Sequence, residues 1–209
     1  MHKTCTVPSS DIIVFGEVLF DIFSSADKVI GGAPFNVARH LAGFGLNPCF
    51  VSSTGNDGNG RNALDLMKKW DMKTRFVSVR DGLPTGTVNV SIIDGEPSYK
   101  IKADQAYDRI EMPVNGFKSP ILYHGTLALR SPHNLKIVKQ IKSRYRPFTF
   151  TDMNLRKPWY SKEIITYALE SSFCVKMNRL ELGLVAEMFQ INSNDVPGIC
   201  RAGQSVPCK

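Results

Sequence analysis

The chain has 209 residues, 43% of them apolar, and 26 Lys and Arg against 19 Asp and Glu give it a formal charge of +7. That length suits one large domain, or one domain with a small appendage, and the composition excludes the disordered and fibrous classes. The charge excess lies wholly in the second half: residues 1–117 carry 12 basic and 13 acidic groups, residues 118–209 carry 14 and 6.

Ile12-Ile-Val-Phe15 is a short apolar run ended by Gly16 and soon followed by Glu17 and Asp21. It is too short for a signal-peptide core or a membrane span and reads as a strand buried on both faces of a parallel sheet. From Ala33 to Phe44, Val37, Ala38, Leu41 and Ala42 share one helical face, with Pro34 in the first turn and Gly45 as a stop. Cys49 to Ser53 predicts a second strand. Asp57-Gly58-Asn59-Gly60 then opens a helix with Ala63, Leu64, Met67 and Trp70 on one side.

Thr85 to Ile93 breaks this rhythm, because Val88, Val90 and Ile92 alternate with Thr87, Asn89 and Ser91 before the turn Asp94-Gly95 and a further strand from Ser98 to Lys102. Such a hairpin cannot extend a parallel core and is expected to project as a small separate sheet, a candidate lid. The alternation then resumes. Strands are predicted at Ile121 to His124, Phe148 to Asp152 and Phe173 to Lys176. Helices are predicted at Pro132 to Arg144, at Ser161 to Glu170, and around Leu180, Leu184, Val185 and Met188. The whole is a doubly wound α/β plan, and a sheet halted there would leave an unpaired edge. From Gln190 onward the periodicity disappears.

Lys136, Lys139, Lys142, Arg144 and Arg146 account for much of the basic excess. Their helical interleaving with Leu135, Val138 and Ile141 reads as a solvated helix face, and without a reading motif nucleic acid is only a minor alternative. The cysteines at 5, 49, 174, 200 and 208 are odd in number, widely spread and free of metal-ligand spacing, which suits reduced thiols in a cytoplasm.

The run Gly31-Gly32-Ala-Pro-Phe-Asn36 carries the most chemistry. Paired glycines let a ligand approach main-chain N–H groups, the helix start adds a partial positive end, and an amide one turn in can both donate and accept. A glycine pair alone is more often an ordinary strand-to-helix turn. This run, however, resembles the first signature of the PfkB (ribokinase-like) carbohydrate kinases, most closely their fructokinase-like members, and companions follow in order. Gly16-Glu17-Val-Leu-Phe-Asp21 resembles the family's opening strand and substrate aspartate, and Gly55-Asn-Asp57-Gly58-Asn-Gly60 its next glycine turn. Pro84-Thr-Gly-Thr-Val88 with Asp94-Gly-Glu-Pro-Ser-Tyr99 resembles the lid, Asp152-Met-Asn154-Leu-Arg156 the mid-sheet element, and Asn178-Arg-Leu-Glu181 the Asn-x-x-Glu motif.

The resemblance implies a ribokinase-like, mostly parallel sheet with a small β lid, and transfer of the ATP γ-phosphoryl group to a sugar hydroxyl with Mg2+. Asp21, Gly31, Gly32 and Asn36 would bind the sugar, with fructose the preferred candidate. Asn154 and Arg156 would meet phosphate, and Asn178 and Glu181 would organise phosphate and magnesium, Glu181 through water. It further implies a domain over 11–191 with the lid inserted at about 84–104 and dimerisation through the lid sheet, while the lost periodicity makes 192–209 an irregular tail and the cysteine usage and short apolar runs point to a cytoplasmic protein with no membrane partner. The pattern departs from the family in one respect. The late Gly-Ala-Gly-Asp motif, which supplies the base and anion hole, is matched in residues 182–209 only by Arg201-Ala202-Gly203-Gln204, without the aspartate. The expectation is therefore a chain with little kinase activity alone, or else a non-catalytic sugar-binding or regulatory protein that keeps the cradle and lid.

Overall fold

The computed structural model describes residues 12–23, 27–93, 96–112 and 119–192, without the side chains of 92, 93 and 96–98. The turn at Asp94-Gly95, the tail from residue 193 and Arg201 to Gln204 within it lie outside the described residues.

Strand β1 (Ile12–Phe15) is followed by β2 (Leu19–Ile22), β3 (Lys28–Gly31), helix α1 (Ala33–Gly43), β4 (Pro48–Gly55), α2 (Gly58–Lys69) and β5 (Val77–Arg80). The hairpin β6 (Gly86–Ile93) and β7 (Glu96–Ile101) comes next. Then β8 (Ile121–His124), α3 (Pro132–Tyr145), β9 (Phe148–Asp152), α4 (Lys162–Glu170), β10 (Cys174–Lys176) and α5 (Arg179–Phe189) alternate.

The main sheet has the order β10-β9-β8-β1-β4-β5, and every neighbouring pair is parallel. Central β1 is buried because side chains alternate across the pleat and both faces are covered. Ile13 and Phe15 pack with Ile137, Val138 and Ile141 of α3. Val14 faces the other way, toward Phe35 and Ala38 of α1 and Ala63 and Met67 of α2. The chain works outward from β1 through β4 to β5, then returns to lay β8 on the opposite side of β1. Strand order therefore reverses between β1 and β8, and the crevice beyond their carboxyl ends is where such sheets place ligands.

The lid is larger than the 84–104 insertion. A second sheet runs β3-β2-β6-β7, with β2 parallel to β6 and the other two pairs antiparallel. Asp21 thus stands on the lid sheet, paired in register with Val88, and not on the opening strand of the core. Leu-Phe-Asp-Ile and Lys-Val-Ile-Gly are too short for alternation to register as a pattern, and their pairing comes from a strand distant in sequence. Short β5 was missed for the same reason. Leu19 and Val88 seat this sheet on Tyr107 and Leu127 of the body.

One residue leaves the expected solvated face of α3. Lys142 Nζ donates to the main-chain oxygen of Ser171 at 3.2 Å and to its hydroxyl at 2.8 Å, and lies 4.7 Å from the centroid of the Tyr167 ring. Burial pulls its amine down to about 7. At the β10 edge, Cys174 and Lys176 are exposed, as are Phe173 and Leu180 beside it. Neither Cys49 nor Cys174 forms a disulfide.

Candidate functional site

A cleft of about 240 Å³ opens between the carboxyl ends of the main sheet and the lid. The lid contributes Asp21 and Tyr99, the start of α1 contributes Gly32 and Asn36, the turn after β1 contributes Glu17, and the segment after β9 contributes Asn154 and Arg156. Leu19, Val88, Ile101 and Leu127 form its apolar lining. Asp21, Gly32 and Asn36 line it together, whereas Gly31, expected beside them, does not.

The two glycines act differently. Gly32 has φ +108°, and a Cβ there would come 2.6 Å from the carbonyl oxygen of Glu17, so only glycine lets α1 start against the end of β1. Gly31 does not line the cleft, but a Cβ on it would meet Asp21 Oδ2 at 3.0 Å. Its bareness leaves the carboxylate its place. Burial raises the pKa of the half-buried Asp21, while the positive charge of Arg156 opposes that rise.

Glu17 is buried, with 2% of its surface exposed. The N-cap residue of α1, Gly32, has no side chain to cap the helix. The main-chain N–H groups of Ala33 and of Glu17 itself donate to the Glu17 carboxylate instead, while Oε2 has no hydrogen-bond partner. Desolvation raises the carboxyl to about 7, against the pull of those N–H groups and of Arg130 and Arg156. Arg130 is fixed by Asp108, with 2.8 Å bonds from Nε to Oδ1 and from Nη2 to Oδ2, and lies 4.2 Å from the centroid of the Trp159 ring.

Across the cleft, Asn154 adopts the left-handed backbone with φ +39°, which turns the chain sharply at the end of β9. Arg156 then reaches the lid, its guanidinium carbon 5.8 Å from the Tyr99 ring centroid. Asn178 and Glu181 do not line the cleft. They form a capping box at the start of α5: Glu181 N–H donates to Asn178 Oδ1 at 2.9 Å, and Asn178 N–H donates to Glu181 Oε2 at 2.8 Å. Glu181 Oε1 accepts from Leu155 N–H at 2.8 Å, so the same carboxylate ties α5 to the turn between Asn154 and Arg156.

Asp57, in the second glycine turn, has a related job. It accepts from Gly60 N–H at 2.7 Å and, through both carboxylate oxygens, from the Thr85 N–H at 2.8 Å and hydroxyl at 2.7 Å, pinning the start of the lid to α2. Burial acts to raise its pKa, but these hydrogen bonds outweigh that and hold it below the usual carboxylate value.

Sequence reasoning assigned no role to Glu17, Tyr99 or Arg130. Glu17 carried a signal, an acid separated by Gly16 alone from a fully apolar strand. Tyr99 lay inside the lid motif without a partner to define it. Nothing in the sequence marks Arg130, whose partners come from separate segments. Among the described residues, no cluster of three or more His, Cys, Asp or Glu side chains is placed to hold a metal ion.

A doubly wound sheet with a β lid over a polar cleft at its switch point defines a ribokinase-like sugar-kinase fold. Residues 10–205 match the pfkB family carbohydrate kinases, and the chain belongs to that family. It is 27% identical over 197 residues to a fructokinase of Solanum tuberosum, covering 83% of this chain and 60% of that protein. Among solved structures, a fructokinase from Xylella fastidiosa with bound ATP superposes with a TM-score of 0.78 at 19% identity, over 93% of this chain and 66% of that one. A fructokinase from Vibrio cholerae O395 with fructose, ADP and calcium gives a TM-score of 0.73 at 19% identity, over 92% and 66%. The chain spans between 52% and 60% of the lengths of three curated relatives it matches.

No helix among the described residues is long and apolar enough to cross a membrane.

Proposed function

We propose that these residues form the sugar-binding part of a fructokinase-like carbohydrate kinase. The observation that carries this reading is the shared cleft of Asp21, Asn36, Asn154 and Arg156, roofed by the lid sheet. A carboxylate such as Asp21 accepts hydrogen bonds from two neighbouring hydroxyls, and charged acceptors bind more strongly than neutral ones. Asn36, at the start of α1, offers both a donor and an acceptor. The lid excludes water that would otherwise compete for the phosphoryl group.

ATP and Mg2+ would supply the phosphoryl group and neutralise its charge. Arg156 fits the phosphate oxygens, and Asn154 stands beside it as a neutral donor. Glu181 fits magnesium only through water: both its oxygens already accept main-chain N–H groups, and magnesium retains several of its waters. The reacting hydroxyl needs an aligned base, whose loss costs on the order of 10²–10⁴-fold in rate. Residues 1–209 alone are therefore sugar-binding but nearly inactive, which is also the behaviour of a regulatory sugar-binding protein.

Fructose is the preferred sugar, dimerisation uses the lid sheet, and the compartment is the cytoplasm. Calorimetry with D-fructose, run beside an ADP-release assay on the 209-residue chain, tests the reading. Binding without turnover is expected. Absence of binding overturns the sugar site, and normal turnover overturns the assignment of inactivity.

A further inference from the structure

The established features of the cleft leave one group unused. Glu17 lines it, is 2% exposed, and carries an oxygen, Oε2, without a partner, although a buried polar atom left unpaired is costly. Its neighbours account for one side of the carboxylate only. Ala33 N–H and its own N–H hold it toward the start of α1, and the Arg130 guanidinium, which attracts it, makes no ion pair with it. Glu17 and Asp21 line the same cleft, one from the body and one from the lid.

We propose that Glu17 is a second ligand carboxylate, whose Oε2 accepts a hydrogen bond from a hydroxyl of the bound polyol while its other contacts hold the helix start in place. The inference rests on the sugar-site reading and deepens it. The substrate class it selects is a polyol with hydroxyls presented to two carboxylates at once, one on each wall of the cleft. A sugar lacking the hydroxyl that faces Glu17 leaves that oxygen unpaired and binds less well.

The proposal has a pH signature. With a carboxyl near 7, Glu17 is about one-tenth ionised at pH 6 and about nine-tenths ionised at pH 8, so an accepting role makes sugar affinity rise roughly tenfold over that interval. The other groups facing it are the Arg130 and Arg156 guanidiniums and the hydroxyls of Tyr107 and Tyr123, the latter two titrating far above this range. Asp21, whose pKa is also raised by burial, shares the cleft. Comparison of variants separates its contribution.

The test is calorimetry of D-fructose against the full 209-residue chain at pH 6 and pH 8, for the wild type, Glu17→Gln and Asp21→Asn. Glu17→Gln keeps an acceptor for Ala33, so a purely structural role would leave affinity and its pH slope unchanged. The expected result is a loss of tenfold or more at pH 8 and a flattened slope. Wild-type affinity and slope in Glu17→Gln, with Asp21→Asn impaired, overturns the role of Glu17 and spares the sugar site. No binding by the wild type, or full binding by Asp21→Asn, overturns both. Should Glu17→Gln fail to fold, carboxyl-carbon NMR of the wild type gives the answer. The Glu resonance titrating near 7 should move to lower pH on adding D-fructose, and an unmoved midpoint contradicts the proposal.

Discussion

Arg156, on the segment leaving β9, places its guanidinium carbon 5.8 Å from the centroid of the Tyr99 ring on the lid strand β7. The contact spans the cleft, from the wall assigned to phosphate to the wall assigned to sugar. A cation over an aromatic face contributes about 0.5–2 kcal/mol. Tyr99→Ala is therefore expected to weaken D-fructose binding roughly 2- to 30-fold and to raise hydrogen exchange in β6 and β7, whereas Tyr99→Phe should stay close to wild type. Equal exchange in wild type and Tyr99→Ala would show that the contact does not hold the lid.

The glycine pair should separate fold from ligand. Gly32→Ala puts a methyl 2.6 Å from a main-chain carbonyl at φ +108°, so it is expected to lower thermal stability by about 2–4 kcal/mol, combining backbone strain with the clash. Gly31→Ala presses only on the end of the Asp21 side chain, at 3.0 Å. It should leave the melting temperature within a few degrees and still weaken sugar binding. Equal melting temperatures for the two variants would contradict this division.

Stability should also report Glu17. Its carboxyl moves from 4.5 in the unfolded chain to about 7 in the folded one, so between those values the native state binds more protons than the unfolded state. The contribution of this residue to stability is complete below about pH 4.5 and falls as pH rises toward 7, by about 3 kcal/mol in all. Denaturant melts at pH 5 and pH 8 should show that difference in wild type relative to Glu17→Gln. Parallel pH dependence in the two would mean that Glu17 is not the buried acid described here.

Much of this architecture was legible in the sequence because periodicity reports burial. Phe148 to Asp152 is strand β9 within the same bounds, and Ser161 is the cap of α4, its hydroxyl accepting from Ile164 N–H at 3.3 Å. What failed to register was short or assembled at a distance. β2 and β3 have four residues each and acquire meaning only against β6, so the place of Asp21 on the lid sheet is not visible in the sequence. Lys142 sits at the right spacing for a solvated helix face, yet Tyr167 of α4 and Ser171 just beyond its end cover it. The spacing of Asn178 and Glu181 also displays a capping box, but the reach of Glu181 to Leu155 N–H depends on a main-chain group from a distant segment that no side-chain pattern displays.

Glu181 should behave as a structural carboxylate first. Glu181→Ala leaves Leu155 N–H and Asn178 N–H without their acceptor. The cost should be about 2–4 kcal/mol, a lost cap plus a second unpaired donor. Glu181→Gln keeps one acceptor and should lose about half of that. Thermal melts give the order. Sugar affinity should fall in Glu181→Ala through the displaced Asn154–Arg156 turn, and a wild-type affinity in a destabilised Glu181→Ala would uncouple the two.

The β10 edge supplies a prediction about solubility. Phe173 and Leu180, exposed by 79% and 81%, flank a strand with no further partner among the described residues. Such an edge invites association. Phe173→Lys with Leu180→Lys should reduce concentration-dependent scattering without changing D-fructose affinity, and unchanged scattering would place the sticky surface elsewhere.

The most direct measurement is a crystal structure of the 209-residue chain grown with D-fructose. The sugar should lie under the lid with hydroxyls on Asp21 and Asn36 and one on Glu17 Oε2. Fructose bound elsewhere, or an empty cleft at saturating sugar, would contradict the account.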